Sequence, residues 1–188
     1  TPPSAPTAST TTPLSTAPTT NPPLGPVSLV DLLRIEPEHL PGYDRDLFKH
    51  WSDVDRNGCN TRCEVLAAER RPDVGWVSIY DGFVTNDASM IEIDHVVALA
   101  EAWRSGAWSW DNARREAFAN DLDEPDALIA VSSASNQSKA DKDPAEWRPR
   151  LESAWCQWAT GWTRVKVKWD LSADEREANA LRELLATC

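Results

Sequence analysis

Charge is absent from the first 26 residues, TPPSAPTASTTTPLSTAPTTNPPLGP, and so are aromatic and β-branched aliphatic side chains. Such a stretch cannot bury enough surface to offset the entropy of ordering it. Residues 1–26 therefore read as a disordered Pro/Thr/Ser-rich tether. Its composition is that of O-glycosylated segments joining a secretion signal or surface anchor to a folded domain. The chain opens on Thr1 rather than Met, as a processed start would. Long apolar runs are missing too: nothing approaches the roughly 18 consecutive apolar residues that span a bilayer. Residues 27–188 are expected to fold as one soluble domain, a monomer that is secreted or tethered at the cell surface.

Basic residues are scarce. Lys and Arg number 19 against 30 Asp and Glu, for a net charge of −11. That balance excludes a simple electrostatic nucleic-acid binder. It leaves room for an enzyme that meets nucleic acid through a metal ion and a local basic rim. No base-reading module, such as a recognition helix or paired zinc ligands, is recognisable. The four cysteines, an even count, fit an oxidising compartment. Three pairings are possible. Cys59–Cys63 with Cys156–Cys188 is favoured, because the second bridge would staple a terminus that otherwise frays. A zinc half-site at Cys59 and Cys63 lacks a second Cys/His cluster to complete it.

Periodicity supplies the elements. "SLVDLLRIEP" predicts a short helix capped by Ser28 and stopped by Pro37, and a second helix starts near Arg62. "GWVSIY" (75–80) and residues 90–97 read as β-strands joined by a turn at Asp81-Gly82. "VALAEAW" and "SWDNARREAFAND" read as helices, "ALIAVS" (127–132) as a short buried strand and "SASNQSKAD" as a Ser-capped helix. Trp155, Trp158, Trp162, Val165 and Trp169 step by 3, 4, 3 and 4, one face of a helix and core rather than a stacking platform. A capping box from Ser172 to Glu175 opens the last helix.

Histidine occurs three times, and one instance sits in "IEIDHVVALAEAW" beside Asp94 at the end of an apolar strand. Side chains alternate along a strand, so Asp94 and His95 point to opposite faces unless the strand ends there. A lone His in this setting is ordinarily a hydrogen-bonded strand terminus. The helix after the second strand, however, carries Asn136 and Lys139 on one face at i, i+3. Hydrolysing a phosphodiester requires a water deprotonated near neutral pH, a task suited to His. It also requires a divalent cation against the phosphate. Mg²⁺ takes few protein oxygens and keeps several waters, so one carboxylate and one amide oxygen suffice.

"IDHVVAL" with "ALIAVSSASNQSKADKDP" resembles the HNH (ββα-metal) nucleases, which share an Asp-His strand and a later helix Asn. With "YDRDLF", "DHVVALAEAWRSGA" and "AFANDL" added, residues 43–188 resemble the secreted actinobacterial HNH-family nucleases of the DUF1524/GmrSD C-terminal type. The resemblance implies an α+β fold. Its core would be a ββα-metal unit of a short antiparallel sheet and a helix, elaborated by several helices including the Trp-rich C-terminal region. It implies His95 as general base, Asp94 and Asn136 as ligands of Mg²⁺ or Mn²⁺, and Lys139 as a phosphate-side or structural residue. Arg62, in the family's "TR" pair, is expected to hold phosphate. Two departures stand out: Ala98 replaces a frequent Pro, and Asp126 stands near where an Asn often precedes the second strand.

"DVDRNGCNTRCE" satisfies the D-x-[DN]-x-[DN]-G-x5-E calcium-loop pattern with Asp53, Asp55, Asn57, Gly58 and Glu64. These would supply oxygens for a structural Ca²⁺; the bland alternative is an acidic turn closed by Cys59–Cys63. The leading reading is a secreted, metal-dependent, sequence-nonspecific endonuclease acting on DNA and RNA. Its rival is a non-catalytic calcium-binding cell-surface module, which leaves the Asp-His and Asn-Lys arrangement without a role. A nuclease toxin with a cognate immunity protein shares the chemistry and differs only in partner.

Overall fold

The computed structural model describes residues 29–188, so the expected 1–26 tether lies outside the described residues. The domain mixes α-helices with two small antiparallel sheets. In chain order the elements are α1 (Thr61–Glu69), β1 (Trp76–Val77), β2 (Val84–Thr85), β3 (Ile91–His95), α2 (Leu99–Arg104), α3 (Asn112–Ala119), β4 (Leu128–Ser132), α4 (Ser133–Lys139), α5 (Trp155–Trp169) and α6 (Glu175–Leu185). Side-chain caps set several starts, since the first N–H groups of a helix lack internal partners. Asn60 accepts from Cys63 N, Asp111 from Arg114 N and Ser132 from Ser135 N.

Three sequence expectations are corrected. The turn at Asp81-Gly82 closes a β1–β2 hairpin, with Trp76 opposite Thr85, and does not lead into the Asp-His strand. Only Leu29 and Val30 of the "SLVDLLRIEP" segment are described as helical, and the chain turns before Pro37; Ser28 lies outside the described residues. The last helix is capped by Asp174, which accepts from Glu177 N, rather than by Ser172, whose buried hydroxyl donates to Ser105 O. One competing oxygen is drawn into the core and the next available carboxylate takes the cap.

β3 and β4 pair from Ile91↔Ser132 to His95↔Leu128. Because β4 runs straight into α4, that helix starts beside the first residue of β3 and travels along it. Three helical residues advance about 4.5 Å and two strand residues about 6.7 Å. Asn136 thus meets Glu92, and the longer Lys139 reaches Asp94. α1 guards β4, where the Glu69 carboxylate accepts Ala130 N with both oxygens. Trp158, Trp162 and Val165 of α5 are buried, as their spacing requires. Gly161 lets α5 approach the Asp126 loop; a Cβ there would lie 2.6 Å from Asp126 Cβ. Lys166 is fully buried and donates to Glu101 of α2 at 2.7 Å and Glu177 of α6 at 2.6 Å. That one ammonium ties three helices. The disulfides are Cys59–Cys63 and Cys156–Cys188, the latter fastening the terminus to α5. No helix among the described residues is long and apolar enough to cross a membrane.

Candidate active site

His95 ends β3, where the sheet stops and α2 begins. Its Nε2 lies 2.9 Å from Ala119 O, and a carbonyl only accepts, so Nε2 carries the hydrogen and Nδ1 the lone pair. Trp51 packs against the ring with centroids 5.5 Å apart, and the His50 ring stands edge-on at 6.4 Å. Trp51 adopts φ 61°, a left-handed conformation costly for a bulky residue. Burial, assisted by the nearby cations, pushes the His95 imidazole down to about 3, so the ring is neutral at pH 7. The Asp126 departure does not disturb it: Asp126 pairs with Arg164, while the carbonyl that orients His95 comes from Ala119.

His95 lines a cavity of about 580 Å³ together with Arg45, Glu92, Asp94, Asn136 and Asp141. Asp94 is buried and both its oxygens are engaged: Lys139 Nζ donates to Oδ1 at 2.8 Å and the Tyr80 hydroxyl to Oδ2 at 2.6 Å. Burial raises the Asp94 carboxyl and the Lys139 charge opposes that rise. The Tyr80 phenol is driven up by burial and by Asp94, and remains a donor. Lys139 also donates to His95 O and has no exposed surface, which places it beneath the strand as a structural tie. Of the two roles left open for Lys139, its burial suits the structural one.

Glu92 and Asn136 face each other over the cavity. Asn136 Nδ2 donates to Glu92 Oε2 at 2.7 Å and Gln137 Nε2 to Oε1 at 3.1 Å. The fold thus gathers His95, Asp94 and Asn136 as the sequence anticipated, and adds Glu92 and Arg45. Arg62 does not line this cavity; its guanidinium donates to Ile91 O, at the opposite end of β3 from His95. Glu92 carried a legible signal, since it stands two residues before Asp94 and so shares its face. Arg45 carried none beyond its place in "YDRDLF". Among the described residues, no three Asp, Glu, His or Cys side chains form a ready-made metal cluster. Glu92 and Asn136 carry the oxygen types that a hard cation keeping most of its waters takes, although here the Asn136 amide turns its Nδ2 toward Glu92, whose two oxygens accept from Asn136 and Gln137.

Elsewhere, the Asp53–Glu64 loop folds around Asn57. Its Nδ2 donates to Asp55 Oδ2 at 2.9 Å and Glu64 Oε1 at 2.8 Å, while Asp53 accepts the backbone N–H of Asn57 and Gly58. The amide donor occupies the space between the carboxylates.

Residues 44–184 match the family described as GmrSD restriction endonucleases, C-terminal domain. An uncharacterized secreted protein of Arthroderma benhamiae is 41% identical over 172 residues, covering 86% of this chain and 83% of that protein. No solved structure matches. The secreted relative and the two disulfides place the chain outside the cell.

Proposed function

The chain belongs to the GmrSD restriction endonuclease C-terminal domain family, and on that premise we propose that it is a metal-dependent endonuclease hydrolysing phosphodiester bonds of DNA and RNA without reading sequence. The observation that carries this reading is His95: neutral, oriented through Nε2, and set on the wall of the cavity that also holds Glu92 and Asn136. The β3–β4–α4 unit supports the HNH, ββα-metal interpretation. In the reaction, His95 Nδ1 takes a proton from water as the water oxygen bonds to phosphorus. The bond from phosphorus to the leaving oxygen breaks, and that oxygen is protonated from solvent. An imidazole held at about 3 is a weak base. The phosphate anion, once seated, favours the imidazolium and draws the pKa toward the working range.

Asn136 and Glu92 would hold Mg²⁺ or Mn²⁺. When bound, the cation neutralises charge on the phosphate. Asp94, the carboxylate expected from the motif, acts through Lys139 and Tyr80 to fix the end of β3. Nicking of supercoiled plasmid should require Mg²⁺ or Mn²⁺ and stop in EDTA. Cleavage that ignores EDTA, or no cleavage of DNA or RNA at all, would sink the proposal.

A calcium role for the Asp53–Glu64 loop is a second reading, favoured by the gathering of Asp55, Asn57 and Glu64. Binding confined to the folded state stabilises it by about 2.7 kcal/mol at a hundredfold excess over Kd. Ca²⁺ should then raise the melting temperature of the wild type and His95→Ala but not Asp53→Ala. An unchanged melting temperature in all three leaves a disulfide-closed turn.

A further inference from the structure

We propose that Arg45 is the phosphate anchor of the cavity and that His50 positions it; this rests on the nuclease reading. The cavity wall presents the carboxylates of Glu92, Asp94 and Asp141, and a polyanion approaching them meets repulsion. The nearby cations are already committed. Lys139 is buried against Asp94, and Arg104 is paired with Glu38, Glu101 and Asp141. Arg45 differs: it is exposed, lines the cavity, and among the described residues has no carboxylate within salt-bridge distance.

What holds Arg45 is neutral. His50 Nδ1 lies 2.8 Å from Phe48 O, so that nitrogen carries the hydrogen. The lone pair of Nε2 is then left to accept from Arg45 Nη2 at 3.3 Å. Phe48 is fully buried, which fixes the carbonyl to which the ring is referred. A carboxylate in the place of His50 would hold the guanidinium equally well and cancel its charge. The imidazole orients one nitrogen and leaves the charge and the other N–H donors for a bidentate pair with phosphate oxygens. Tyr43 lines the same wall; burial pushes its phenol up, so it stays an O–H donor beside Arg45. The His50 ring stands 6.4 Å from that of His95, which places the anchor next to the proposed base.

The test is binding without turnover, using fluorescence anisotropy of a short fluorescein-labelled single-stranded DNA in EDTA across a salt series. Removing one phosphate contact lowers the slope of log K against log salt by about 0.7 for a single strand. Arg45→Ala should weaken binding about tenfold with that loss of slope. Arg45→Lys should restore the slope without the full affinity. His50→Ala should weaken binding at unchanged slope, and His50→Gln, which keeps an acceptor, should recover it. Wild-type affinity and slope in Arg45→Ala, from a protein that binds and cleaves DNA, would overturn the anchor alone. A wild type that neither binds nor cleaves would overturn the nuclease reading and the anchor with it.

Discussion

Lys139 is fully buried, and among the described residues its charge is matched only by Asp94. Removing one partner of a buried pair leaves an uncompensated charge and costs about 3–5 kcal/mol. Glu92 is different, being partly exposed with its oxygens on the cavity side. The two carboxylates therefore fail in separable ways. Asp94→Asn should lower the melting temperature by about 10 °C or more. Glu92→Gln should leave it within about 2 °C and raise the Mg²⁺ needed for half-maximal cleavage. Thermal melts paired with Mg²⁺ titrations check this. An unchanged Mg²⁺ requirement in Glu92→Gln would return the ligand role to Asp94.

Among the elements, α1 carries a titratable hold on β4. Burial pushes the Glu69 carboxyl up to about 7, against an ordinary value of 4.5. The folded state thus keeps a proton that the unfolded chain has released. This contribution is fully present below about 4.5 and is lost as pH rises through about 7. Wild-type melting temperature should fall over that range relative to Glu69→Gln, which still accepts Ala130 N and does not titrate. Parallel curves for the two proteins would contradict it. The Cys156–Cys188 bridge spans a sequence separation of 32. Chain entropy then assigns it about 3–4 kcal/mol, or roughly 10 °C. Cys156→Ala/Cys188→Ala should melt lower by that amount, and a shift under 2 °C would show that α6 docks without it.

What could be read from the sequence follows the range of the interactions. The α5 tryptophan face was legible because burial repeats with the helical period, and α4 because Ser132 caps it locally. The two-residue strand β2 was not, since Val84 and Thr85 carry no period and pair only because the turn at 81–82 brings them back. At the site, the Asp-His and Asn-Lys pairs were legible as local spacings. Arg45 and Trp51 were not, because the 43–51 segment reaches His95 only through tertiary packing. The place of Arg62, away from this cavity and against Ile91 O, was not legible for the same reason: it depends on how α1 lies against β3.

For the molecule as a whole, a net charge of −11 has to coexist with the polyanionic substrate proposed for it. The excess of carboxylates is a property of the whole sequence, whereas the proposed cation ligands, anchor and base all line one cavity. The proposed reaction turns on His95. The most direct measurement is the single-turnover cleavage rate of His95→Ala at saturating Mg²⁺, alongside its melting curve. The account predicts a loss of about 10²–10⁴-fold, the contribution of a general base, in a protein that still folds and still binds DNA. A rate within a few-fold of wild type would contradict it.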